Sequence, residues 1–507
     1  IVFERRLPLL VRRASRFLDD KSISNSFSRS PRYRRFICEQ ISILVFLHEL
    51  GHYLPAKWFK TRAEKFFLFF DPWFSLFSMK KINGKWQYKF FSKNQPDTEI
   101  IEIDGEKKEV SINTENLPDS DWRKHPESTK WGIGWLPMGG YVKIAGMVDE
   151  SMDTEQLKKP AEPREFRSKP AWQRLIIMLG GVTVNFFLAW FIYSCLSYFN
   201  GEMIFNPDKN VTITYGESAK KMGFQDGDKI LKVDGKEQKN LEKLSLDVLL
   251  SDHITVLRGG KEVTFDTNDE GKAMVFREDT PKGFLVPRIE PIVDTVIAKT
   301  AIDAGLQKED KILKINDKNI TFYDELPSAL SKHAGQEALV QVERAGNVVD
   351  LKLPVSKEGT IGISVGRNFL TKKDFTAIEA VSRGFTRSIE ELTYQIKQFK
   401  LVFNKTVKGY KKVGGPIAIV NQMHVRQDTA GNYAIDWTFF WSFTAMFSVW
   451  LAFLNLLPIP GLDGGHVVFT LWEIVTRKPV PQKILENAQM IGVIFLLSLM
   501  VLIFGND

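Results

Sequence analysis

Cysteine is nearly missing from this 507-residue chain: Cys38 and Cys195 are its only two. Both fall in or near apolar segments, so they build no disulfide framework. Histidine is scarce as well, with seven in the chain, which makes any patterned pair of histidines informative. No nucleic-acid-binding motif accompanies the basic residues. They are scattered, and a net charge of +8 therefore does not point to nucleic acid. Charge of either sign is absent from 175–199 and from 437–462. At about 1.5 Å per helical residue, such runs can cross a hydrocarbon core of roughly 30 Å.

A third apolar run covers 487–504. A weaker one at 36–58 is interrupted by Glu39 and Gln40. Together they predict about four transmembrane helices. Arg164, Arg167, Lys169 and Arg174 precede the 175–199 run, and Arg477, Lys478 and Lys483 lie between the last two runs. The positive-inside rule then places 60–170 and 477–483 in the cytoplasm and 200–436 outside. Arg32, Arg34 and Arg35 pull the other way. Residues 1–35 are expected to be a basic, disordered arm, and they do not make a signal peptide.

Between the second and third runs the sequence repeats. "GFQDGDKILKVDGK" at 223–236 aligns with "GLQKEDKILKINDK" at 305–318, with eight of fourteen positions identical at an offset of 82 residues. That period is domain-sized rather than solenoid-sized. Each copy reads as a turn, a short apolar strand and a hairpin tip. The copies resemble PDZ domains, predicting two such α/β modules at 205–288 and 289–366. Modules of that kind take extended peptides at a sheet edge, or serve as plugs with blocked grooves.

"FLHELGHYLPAKWF", 46–59, carries H-E-x-x-H. On a helix, His48 and His52 share a face and Glu49 lies beside it, an arrangement suited to two metal ligands and a general base. A catalytic zinc site needs a third protein ligand and an open position. The local solutions fail: Pro55 and Trp58 stand where an extended motif would carry glycine and histidine. The donor must come from elsewhere. In "NLLPIPGLDGGH", 455–466, Asp463 closes an otherwise uncharged run, where a carboxylate is costly unless paired or metal-bound. His466 is its rival as ligand, or a partner behind the ligands.

H-E-x-x-H in a first span with N-x-x-P-x-P-x-L-D-G-G in a late one resembles the site-2 protease family of intramembrane zinc metalloproteases. The tandem insert resembles its bacterial RseP-type, sigma-factor-regulating branch. The resemblance implies one Zn2+ per chain on His48, His52 and Asp463, with Glu49 as general acid/base. It implies that "WGIGWLPMGGYVKIAGM", 131–147, forms a membrane re-entrant β-hairpin. It further implies that Asn185, Asn455, Gly139 and Gly140 contact substrate, and that "KVGGPIAIV", 412–420, is a gating segment. The lysine- and glutamate-bearing loop at 79–130 is left without a role.

The expected fold is thus a polytopic α-helical membrane protein with a re-entrant β-hairpin and two inserted PDZ-like α/β domains. A first half of the membrane core covers 36–200, an amphipathic or gating segment 367–436, and a second half 437–507. The expected function is cleavage of single-span membrane proteins, such as anti-sigma factors, in a bacterial inner membrane. The lipid bilayer is the surroundings, PDZ peptide ligands are possible partners, and nucleic acid is not one. The PDZ-like pair is expected on the periplasmic side and the metal near the cytoplasmic side. The alternatives are a catalytically inactive PDZ-bearing scaffold and a proton-relay transporter. The intact motif argues against the first, and the lack of repeated spans against the second.

Overall fold

The computed structural model describes residues 31–94, 98–103, 106–111, 117–147, 160–205, 212–237, 241–276, 284–365, 370–408, 426–427, 433–434 and 436–506. Most of the basic arm and the segment 412–420 lie outside the described residues. The chain divides into two compact units. One holds Ile1–Phe199, Thr376–Gln395 and Val413–Asp507, the other Asn200–Phe375 and Ile396–Lys412.

In the first unit, helix α1 runs Pro31–Trp58, α2 Ala171–Asn200, α3 begins at Ala377 of Ala377–Val402, α4 runs Trp437–Leu456, α5 Asp463–Thr476 and α6 Gln482–Asn506. The apolar runs at 36–58, 175–199 and 487–504 each fall on one helix, and among the described residues α2 and α4 are long and apolar enough to cross a membrane. The run at 437–462 is not one helix: α4 stops at Leu456, and Asp463 opens α5 rather than closing the span. Pro458 and Pro460 are the reason, since proline lacks the N–H that the helix needs. Gln40 does not interrupt α1. It is buried, and its Nε2 donates to the Phe440 carbonyl (3.0 Å) and Thr444 Oγ1 (3.1 Å), a polar tie between α1 and α4.

The stretch between α1 and α2 builds a five-stranded sheet. Its strands are β1 Ala63–Phe70, β2 Phe74–Ile82, β3 Lys85–Lys93, β4 Lys130–Ile133 and β5 Leu136–Ile144, in the order β3-β2-β4-β1-β5. The hairpin expected at 131–147 is therefore not a hairpin. β4 and β5 are joined by two residues, yet β1 lies between them, parallel to β4 and antiparallel to β5. The phenylalanine-rich β1 suits that central place. Phe66 stacks on Trp131 on one face, and Phe67 on Tyr141 on the other. Gly132 leaves room for the Phe67 ring. Strands β2 and β3 occupy part of the loop that sequence left without a role. Phe66, Val142 and Ile144 then pack with Ala56 of α1, Ile177 and Met178 of α2 and Val467 of α5. This core fixes the sheet against the helix that carries H-E-x-x-H.

In the second unit the repeat is visible as structure. The first copy orders its strands Lys236–Glu237, Lys229–Val233, His253–Arg258, Lys261–Asp266, and the second Lys318–Asn319, Lys311–Ile315, Glu337–Arg344, Asn347–Pro354. Both show a register slip at the same place, between Ile230 and Lys232 and between Ile312 and Lys314. In each, a buried aspartate is gripped by an arginine from the third strand in that order. Arg258 donates to Asp228 (2.7 and 2.8 Å) and Arg344 to Asp310 (both 2.7 Å). The same arginines reach the carbonyls of Gly223 and Gly305.

Candidate metal centre

On α1, His48 and His52 are buried and stand one turn apart, their rings edge to face. Asp463, first residue of α5, meets them. Its Oδ2 lies 3.3 Å from His48 Nε2 and 3.1 Å from His52 Nε2, and the two Nε2 atoms are 3.3 Å apart. Among the described residues these three form the group able to hold a metal ion.

Proton accounting tests the fit. His52 Nδ1 lies 2.9 Å from the Ile177 carbonyl, which only accepts, so Nδ1 carries a proton and the neutral ring has its lone pair on Nε2, facing Asp463. Asp463 Oδ2 is buried without a hydrogen-bond donor. Acceptors that close repel one another unless a cation sits among them. A tetrahedral zinc with bonds of about 2.0–2.1 Å separates its donors by about 3.4 Å, close to the triangle observed. The donor set fits zinc.

The groups behind the triangle orient it. The Asn185 amide nitrogen lies 3.0 Å from His48 Nδ1, and its buried Oδ1 has no partner. With the His48 lone pair committed at Nε2, the proton sits on Nδ1, and the amide that meets it presents its oxygen. Asn185 is fully buried, and Ser448 of α4 donates to its carbonyl (2.7 Å). Asn455 brings its amide to 3.0 Å from His48 Nε2, at the rim of the triangle. His466 lines the same cavity without joining the three donors.

Glu49 lines that cavity beside strand β5. A Cβ at Gly140 would touch Val45 (2.7 Å) and come 3.7 Å from Glu49 Cγ, so glycine lets the strand lie against α1 at the glutamate. Gly139 has a left-handed φ of 116°. β5 is the edge of its sheet. The structure therefore brings together Glu49, Gly139, Gly140, Asn455 and the three donors along one cavity of about 750 Å³. Asn185 sits behind His48.

Sequence reasoning passed over the glycines that make this possible. A Cβ at Gly51 would stand 2.5 Å from the Gly180 carbonyl, and one at Gly181 2.6 Å from His48 Cε1. Helices α1 and α2 cross where neither has a side chain, and α2 thereby seats its backbone against both histidines. The signal was present: a glycine inside H-E-x-x-H, and a glycine pair in an uncharged span, the composition of close helix packing.

The model of peptidase family M50 matches residues 117–499. The matched stretch opens beyond the helix of His48 and His52 and includes Asp463. A regulator of sigma E protease from Haemophilus influenzae is 28% identical over 409 residues, 75% of this chain and 87% of that protein. The regulator of sigma-E protease RseP of Escherichia coli is 27% identical over 414 residues, 76% of this chain and 88% of that protein. A Vibrio cholerae protein described as a presumed zinc metalloprotease is 28% identical over 417 residues, 75% and 87% of the two chains. Family, relatives and donor set agree: the chain belongs to peptidase family M50, the site-2 proteases, and is a zinc-dependent metalloprotease.

Proposed function

We propose that this chain cleaves the transmembrane segments of single-span membrane proteins, anti-sigma factors among them, within a bacterial inner membrane. The observation that carries this reading is the place of the donors. His48, His52 and Asp463 converge between apolar helices, next to a sheet edge that runs past Glu49. A peptide bond inside a helix is already hydrogen-bonded, so a protease of such segments must hold an unwound stretch. The free edge of β5 can do so by strand addition.

His48, His52 and Asp463 would hold the zinc ion, which supplies Lewis acidity toward water and the peptide carbonyl. Glu49 takes the proton of the attacking water and delivers it to the leaving amine. Ile177 and Asn185 keep the histidine protons on Nδ1. Gly139 and Gly140 let the substrate backbone approach, and Asn455 hydrogen-bonds the reacting carbonyl. The two repeats act as PDZ-like modules on the periplasmic side. There they hold back substrates that still carry a bulky outer domain.

One reporter tests both parts. A single-span protein in liposomes should be cut within its span by the wild type. Glu49→Gln should keep its zinc and lose at least about a hundredfold in rate. Undiminished cleavage by Glu49→Gln rejects the mechanism. A folded outer domain on the reporter should block cleavage until 205–365 is deleted, and unchanged discrimination after that deletion rejects the filter.

A further inference from the structure

The cavity that holds the metal donors is lined by lysines as well. Lys65 of β1 and Lys143 of β5 line it together with His48, Glu49, His52 and Asp463. Lys65 pairs in register with Lys143 on one side and with Lys130 of β4 on the other. Residues paired across strands share a face of the sheet, so three lysines stand side by side in one row. Phe67 and Tyr141, next along that face, confirm the sidedness. Their rings stack, and the Lys130 ammonium sits 5.2 Å over the Phe67 ring.

Like charges placed directly opposite are destabilising, and within this row the partners differ from lysine to lysine. Glu64 answers Lys143 (3.7 Å), while Arg62, 3.4 Å from Glu64, has its shorter pair with Glu162 (2.8 Å). Asp71 also lines the cavity, held by the Tyr141 hydroxyl (2.7 Å), Ser75 (2.9 Å) and Asn94 (3.0 Å), and its charge offsets part of that of Lys130. Among the described residues Lys130 Nζ has its hydrogen bond with the Asn94 side-chain oxygen, at 3.5 Å. Lys65 is half-buried and, among the described residues, has no ion pair or hydrogen bond. The strain registers on its neighbour. Burial first, and then the Lys65 charge, push the Lys130 ammonium down to about 8.

We propose that Lys65, with Lys143, forms an anion subsite that receives an acidic side chain of the bound substrate. The proposal rests on the protease reading above. A chain added along β5 points alternate side chains to its two faces. One opposite Lys143 falls on the lysine face, and one opposite Gly140 falls on the face of Glu49. Those two places are three residues apart, about 10 Å at 3.3 Å per residue. The enzyme should therefore favour substrates with Asp or Glu about three residues from the cleaved bond. The same charge could attract a phospholipid headgroup, but the place of the lysines in one cavity with Glu49 and the donors favours the substrate.

The experiment uses the full-length enzyme in liposomes and two reporters cut in competition. One carries a single Asp, scanned through three to five positions on either side of the bond, and the other Asn at the same place. The ratio of kcat/KM values within one preparation cancels differences in folded fraction. Wild type should prefer the Asp reporter about five- to tenfold at one position, the effect of about 1 kcal/mol. Lys65→Arg should keep that ratio, Lys65→Gln should bring it to about one, and Lys65→Glu should invert it. A wild-type ratio near one at every position overturns the subsite, as does a preference that survives Lys65→Gln. A ratio that follows anionic lipid content and not the reporter assigns the lysines to lipid and also overturns it. Failure of the protease reading looks different, because neither reporter is then cut.

Discussion

Asp463 in the first unit and Asp228 and Asp310 in the second are all largely withdrawn from water, but they are held in opposite ways. Asp228 and Asp310 each meet a guanidinium that donates to both carboxylate oxygens. That pairing is complete within the protein and serves the fold. Asp463 meets two imidazole nitrogens that offer lone pairs, and its Oδ2 has no donor. A buried carboxylate left so costs several kcal/mol unless a cation completes it. The same residue type is complete where arginine answers it and, where imidazole lone pairs face it, leaves a place that a cation fits.

The largest effect expected from this difference is at the metal. Asp463→Asn removes the one negative charge among the three donors and leaves a neutral amide oxygen, a far weaker zinc ligand. Zinc affinity should fall by more than the roughly 10–100-fold that a change behind the ligands costs, with activity falling in step. The two repeats should fold as before. Zinc content measured on the purified protein, beside protease activity, checks this. A variant that keeps stoichiometric zinc would mean that Asp463 is not a ligand.

Arg258→Ala makes the opposite cut. It strands Asp228 as an unpaired buried carboxylate, which costs about 3–5 kcal/mol when a buried pair is broken. Protection of the amides in Lys229–Val233 and His253–Arg258 from hydrogen exchange should collapse, while zinc stays bound. Arg344→Ala should do the same to Lys311–Ile315 and Glu337–Arg344. Loss of zinc in either variant would mean that the metal site and the repeats are not separately held.

The sequence made the donors legible because their chemistry is local. Two histidines one turn apart announce a face, and an aspartate in an uncharged run announces a need. The repeat was legible for a similar reason, since eight shared positions carry the same turn and strand. The sheet was not. Whether β4 and β5 pair with each other or admit β1 between them depends on contacts some seventy residues apart. Nothing within 131–147 records that choice. Gln40 misled because a polar residue in an apolar run reads as an interruption until its partner on α4 is known. The break after Leu456 could have been read further, for Pro458 and Pro460 forbid the helix that the uncharged run suggested.

The smallest effect separates the two repeats from each other. Past Gln395, helix α3 belongs to the second unit, and its tail is tied to the first repeat. Lys397 donates to Asp234 (2.6 Å), Lys400 to Asp252 (2.7 Å) and Asn404 to Asp269 (2.8 Å). Burial pushes the Asp234 carboxyl up, but hydrogen bonds from Lys397 and from the His253 and Asp252 amides outweigh it and hold it below its usual range. The Lys400 hydrogen bond holds Asp252 low against a smaller burial effect. Carboxyls depressed in the folded state contribute stability above their unfolded value of 3.8. That contribution is lost as pH falls through the folded values. These pairs are partly exposed, so each contributes on the order of 0.5 kcal/mol. Hydrogen exchange of 396–402 should therefore quicken only a few-fold between pH 7 and pH 3, after correction for intrinsic rates. Lys397→Ala with Lys400→Ala should remove that pH dependence and leave the strands of the second repeat untouched. Equal acid loosening of both repeats in the double variant would place the sensitivity elsewhere, in carboxylates the two copies share.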